Sequence, residues 1–295
     1  MKDHHTPQGI ALMIAAVACF ATLDTLTKGV GGAVPVVMAL WVRYLAQTAL
    51  TGAVLLPARG RYLLHTRRPV LQCMRAALML VSSLCAFFSL KVLPVGDFTA
   101  VAMLTPLAIT LAAAALMGER VSPVRWLFLL LGFAGAVMVI RPGPDFHPAM
   151  LLPLGVVLSN AGYQLLTGAL TRADGVGTTH FYTGSVATVL LTAALPFSWV
   201  WHVSAMHWAM LAGMALAGCA GHLCLVLAYA RAPVGVLTPY LYLQIAFAML
   251  GGWMVFGSVP DAWSVLGVAF IAASGVGGTA AAARERGTPA ANVPA

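Results

Sequence analysis

Charge is what this sequence has least of. Of its 295 residues, 8% are Asp, Glu, Lys or Arg and 61% are apolar, whereas soluble proteins carry about 25% charged residues. A water-exposed globule of this size needs more polar surface than that, which excludes a soluble enzyme. The same apolar content excludes a disordered chain. Cysteine is scarce as well. The five present (Cys19, Cys73, Cys85, Cys219 and Cys224) lie in or beside apolar runs, with the spacing of neither a zinc site nor a disulfide framework. They read as small buried hydrophobes. Basic residues outnumber acidic ones, 16 to 8, but no dense basic tract with interleaved aromatics exists, so no nucleic-acid partner is expected. No acid pair suits a metal and no histidine cluster forms, so no cofactor is expected either. A polytopic membrane protein remains.

A hydrocarbon core about 30 Å thick takes roughly 20 helical residues to cross. Cutting the chain at charges, prolines and glycine clusters predicts ten such spans: 8–28, 34–56, 69–91, 94–117, 123–141, 148–170, 178–200, 206–230, 233–256 and 262–281. The connections are short, so neighbouring spans form antiparallel hairpins, and the first run is a retained helix rather than a cleaved leader. With the N-terminus inside, Lys2, Arg59, Arg61, Arg67, Arg68, Arg75, Arg120, Arg125, Arg172, Arg231, Arg284 and Arg286 fall on the cytoplasmic side. Only Lys28, Lys91 and Arg141 fall outside. That bias predicts an inner-membrane protein with both termini cytoplasmic. Residues 282–295 are expected to be a disordered tail.

The two halves resemble each other. Leu90–Gly118 aligns without gaps on Tyr229–Gly257, matching Pro94, Val95, Gly96, Thr99, Leu104, Leu111 and Gly118 to Pro233, Val234, Gly235, Thr238, Leu243, Leu250 and Gly257. Five spans per half is an odd number, so the second repeat (148–281) crosses the membrane in the opposite sense to the first (8–141). Inverted repeats are a recurrent plan of secondary transporters, with the substrate site between the halves near the midplane.

The residues carry a family resemblance too. Pro94-Val95-Gly96-Asp97, Leu104-Thr105-Pro106-Leu107 and Gly118-Glu119-Arg120 resemble the first half of an EamA-type transporter of the drug/metabolite transporter superfamily. Gly221-His222-Leu223, Ala228-Tyr229, Ala232-Pro233, Tyr242-Leu243-Gln244, Phe256-Gly257, Pro260-Asp261 and Ser274-Gly275 resemble the second. Ser258 departs from the pattern, standing where an acid often repeats that of Glu119. The resemblance implies two EamA units in an all-α membrane protein of ten helices. It also implies a central cavity lined by helices one, three, four, six, eight and nine, and a small-molecule metabolite as cargo.

Ionisable groups inside a membrane are costly and are candidates for function. Asp24 and Lys28 share one helix face, and Arg43 lies within the second span. An Asp24–Arg43 pair would neutralise both charges, act as a gate, or offer Arg43 to a substrate carboxylate or phosphate. A permanent salt bridge orienting two helices would use the same residues. Asn160, Tyr163 and Gln164 cluster on one turn of the sixth span, as a substrate site or as interhelical hydrogen bonds. Thr105 and Gln244 occupy the same place in the two repeats, beside Tyr240 and Tyr242. Pro106 and Pro239 mark bending points. His222 is mid-span, a proton carrier or a packed neutral ring. The small residues Gly132, Ala136, Ser274 and Gly278 fit close helix packing or a homodimer. The expected activity is alternating-access transport of a small polar or amphiphilic metabolite, with Asp24 the candidate for proton coupling. A membrane-embedded enzyme and a purely structural membrane protein are the rival classes.

Overall fold

The computed structural model describes residues 6–60, 65–117, 122–140, 148–174, 176–231, 237 and 240–287. Helix follows helix: α1 (Thr6–Val30), α2 (Val36–Arg59), α3 (Pro69–Val92), α4 (Val95–Ala102), α5 (Thr105–Met117), α6 (Pro123–Ile140), α7 (Leu152–Asp174), α8 (Val176–Ala194), α9 (Ala205–Arg231), α10 (Leu243–Phe256) and α11 (Ala262–Gly287). No strand occurs among the described residues. Helix ends follow local chemistry. Pro69 opens α3, where its missing N–H costs nothing. Gly257 closes α10 in the left-handed conformation, φ 65°. Asp261 accepts a hydrogen bond from the Ser264 N–H at the start of α11, 2.8 Å.

Among the described residues, four helices are long and apolar enough to cross a membrane: 7–30, 36–57, 69–92 and 205–225. Shorter apolar helices cover Val95–Ile109, Trp126–Val139, Leu243–Phe256 and Ala262–Gly278. The outer surface is apolar in keeping, with Leu158 71%, Val189 70% and Met254 71% exposed, as lipid contact requires and water does not tolerate.

The expected fourth span, 94–117, is broken in two. The Leu104 N–H bonds to the Val101 carbonyl in a tightened turn, and Pro106, without an N–H, starts a new helix. In the second half Pro239 lies outside the described residues, but α10 begins at Leu243, the residue aligned with Leu104. α11 runs on to Gly287, so residues 282–287 of the expected tail are helical; 288–295 lie outside the described residues.

The extensive pairings join one half of the chain to the other: α1 with α9, α6 with α11, α3 with α7, α2 with α8, and α1 with α10. Exchanging α1 with α7, α2 with α8, α3 with α9, α4–α5 with α10, and α6 with α11 turns this set of pairings, with α5–α7, α3–α8 and α2–α9, into itself. The α6–α11 contact needs glycine on both sides. A Cβ on Gly135 would stand 2.6 Å from the Gly267 carbonyl oxygen, and one on Gly267 2.7 Å from that of Gly135. Gly132 faces Ser274 in the same contact, so these small residues serve packing within the chain.

Candidate functional site

Asp24 lies six residues before the end of α1, about 9 Å into the helix at 1.5 Å per residue. Its Oδ2 accepts hydrogen bonds from Gln244 Nε2 at 3.2 Å and from Thr99 Oγ1 at 3.4 Å. Three helices, α1, α4 and α10, therefore meet on one carboxylate. The broken fourth helix delivers Thr99 at its first segment, and the start of α10 delivers Gln244. Arg43, on α2, is close enough for its charge to act on Asp24, yet no ion pair joins them among the described residues. Its Nη1 reaches Ser83 Oγ of α3 at 3.5 Å, its guanidinium covers the Tyr44 ring at 5.2 Å, and its Nε is buried without a partner.

Arg75 is a buried cation that the site candidates read from the sequence did not include. Counted on the cytoplasmic side and inside the expected span 69–91, it lies within α3 and is 1% exposed. Its depth, six residues past Pro69, was the signal available. Its Nη2 donates to the Thr179 carbonyl and to Thr183 Oγ1 of α8, and its Nη1 to Thr167 Oγ1 of α7 at 3.1 Å. The guanidinium covers the Tyr163 ring at 5.0 Å.

His222 does not stand alone. The His180 ring of α8 lies 6.0 Å away and the Phe20 ring of α1 5.0 Å away. His222 was legible by its depth alone; its neighbour His180 was not, because nothing in the sequence brings the two rings together. On α7, Gln164 Nε2 donates to Asn160 Oδ1 at 3.4 Å; Asn160 is half-buried and Gln164 exposed.

The other expected site residues go elsewhere. Thr105 is 2% exposed and returns its hydroxyl to the Ala102 carbonyl, 2.7 Å, bracing the helix break. Tyr242 packs in an apolar cluster with Ala100, Leu104, Ala136 and Ile271, its hydroxyl buried without a partner. Tyr240 packs beside Met13, Val17 and Leu237.

The two faces of the bundle are tied differently. At the end of α1, Lys28 Nζ donates to the carbonyls of Leu90 (3.0 Å) and Leu93 (2.8 Å), satisfying the end of α3. Nearby, a cavity of about 260 Å³ is lined by Asp97, Asp261, Ser258 and Ser264 among others. At the opposite end of α3, Asp174 accepts from Thr66 Oγ1, from the Arg67 N–H (3.2 Å) and from Gln72 Nε2 (2.9 Å). Slight burial acts to raise the Asp174 pKa, but these three bonds and the Arg67 charge outweigh it and hold the carboxyl below its usual range.

An all-helical bundle with an apolar exterior and an interior acid bonded by two other helices fits a membrane protein. The comparisons with known proteins agree. Residues 7–141 match the EamA-like transporter family, and the resemblance read from the residues is borne out. A riboflavin transporter of Vibrio cholerae is 28% identical over 92% of this chain and 92% of its own length. A pseudopaline exporter of Pseudomonas aeruginosa is 23% identical over 88% of this chain and 91% of its own. A solved crystal structure shares the fold, with a TM-score of 0.65 at 21% identity, covering 95% of this chain and 99% of that one. These relatives place the chain among transporters, not enzymes.

Proposed function

We propose that the chain carries a small polar metabolite across the inner membrane by alternating access, with two inverted five-helix repeats rocking about Asp24. The observation that carries this reading is the junction at Asp24. A single carboxylate of the first half is bonded by Thr99 of its own half and by Gln244 of the other. A shift of one half against the other must break or remake the Gln244 bond. The exchange symmetry of the helix pairings supports the inverted repeat, and the excess of basic residues on one set of loops supports cytoplasmic termini. Asp24 is the proton carrier in this scheme, giving up Gln244 and Thr99 when it binds a proton. Riboflavin is the first cargo to test, because relatives over most of the chain's length are named for it. An isoalloxazine ring offers several acceptors and an imide N–H. The donors at Arg43, Asn160 and Gln164 and the acceptor at Asp24 answer both.

Reconstituted liposomes test this. Saturable riboflavin uptake that responds to a pH gradient is expected, with Asp24→Asn abolishing the gradient response and lowering uptake about tenfold or more. Gradient-driven uptake that survives Asp24→Asn removes the coupling role. Chemical conversion of the flavin would favour the enzyme class instead.

A further inference from the structure

Resting on that carrier reading, we propose that the basic column of Arg43, His222, His180 and Arg75 binds an oxyanion, a carboxylate or phosphate borne by the transported molecule. The four side chains come from α2, α9, α8 and α3. Arg43 lies about 10 Å from the start of α2 and Arg75 about 9 Å from the start of α3, so the two cations enter from different helix ends. The histidine pair connects them: His180 follows Thr179, whose carbonyl Arg75 bonds, its ring lies 6.0 Å from that of His222, and His222 stands one turn along α9 from Gly218, which borders Arg43. Arg43 is 8% and Arg75 1% exposed, and no carboxylate pairs with either among the described residues. The acid in this region, Asp24, already accepts two hydrogen bonds. Cations therefore exceed anions around this column, where lone charge is costly and a ligand anion would offset it.

The two arginines have different tasks. Arg75 commits both its Nη groups to threonines of α7 and α8 and is fixed in place. It sets the field. Arg43 has one long bond to Ser83 and a buried, unpartnered Nε. Most of its five donors are unspent, and a guanidinium fork matches a carboxylate or phosphate with two parallel bonds. Gly218 of α9 borders that Nε: a Cβ there would stand 3.5 Å away. The missing side chain leaves room beside the donor.

Purified full-length protein in detergent, melted with matched pairs of probes, decides the matter. The pairs are riboflavin with riboflavin 5′-phosphate, and adenosine with adenosine 5′-monophosphate. The phosphorylated member of at least one pair should raise the melting temperature at concentrations where its neutral partner does not. Arg43→Gln should raise the half-saturating concentration of that member about tenfold or more, and that of its neutral partner by clearly less. Arg43→Lys, which keeps charge and loses the fork, should fall between. Should Arg43→Gln fail to fold, His222→Asn gives the same comparison. Equal shifts from both members of each pair, shifts from neither, or phosphate binding indifferent to the variants all overturn the proposal. Riboflavin uptake without a preference for phosphate would retain the carrier reading and reject this one.

Discussion

Tyr242, a site candidate by sequence, is packed into a helix contact in the structure. Its ring lies against α11 where Gly275 has no side chain; a Cβ at 275 would come within 1.6 Å of the ring carbon bearing the hydroxyl. The hydroxyl itself is buried and unpartnered, a state that costs roughly 1–3 kcal/mol. Tyr242→Phe should therefore raise the melting temperature in detergent and leave transport as it was. Gly275→Ala should destabilise the protein by about 1–3 kcal/mol, because the ring must move. A Tyr242→Phe protein that is less stable, or that has lost transport, would return the hydroxyl to the binding site. Residue type and depth made Asp24, Arg43 and Gln244 legible as candidates before any coordinates. Direction was not legible. Thr105 and Gln244 share a repeat position, yet one turns back to its own backbone and the other reaches across to Asp24. Arg75 was counted only for the side of its charge, and such a count says nothing of the threonines that it bonds on α7 and α8.

At the scale of the element, α3 is held at both ends by other helices. Lys28 secures its last turn, and Asp174 gathers Thr66, Arg67 and Gln72 around its first. The Asp174 carboxyl has its pKa lowered in the folded state, so its contribution is present above the unfolded value and lost as pH falls through the folded one. Asp174→Asn should melt earlier than the parent at pH 7, and the gap should close below pH about 4. A gap that persists in acid would mean that the carboxylate charge is not what matters there. The group is partly open to solvent, so screening keeps the effect small. The helices themselves were legible from apolar runs. The break after Ala102 was legible from Pro106, because a missing N–H is a local fact. The bonds that hold α3 were not, because they join residues 62 to 108 positions apart.

For the whole molecule, the orientation proposal is open to a direct measurement. Reporters fused to each chain end should both give the cytoplasmic signal, and a split result would sink the five-plus-five plan. The likeness of the halves was legible in the Leu90–Gly118 and Tyr229–Gly257 alignment. What the halves do to each other was not, because apolar faces carry no address and any two can pack.

That Asp24 is bonded by a residue 220 positions further along has a consequence for biosynthesis. While the ribosome is still working on the ninth span, an acid already threaded into lipid lacks its Gln244 donor. The early helices must wait, loosely associated or shielded by the insertion machinery, and the bundle can lock only near the end of translation. A truncation before residue 244 should thus leave a fragment recognised by membrane quality control, whatever the hydrophobicity of its spans.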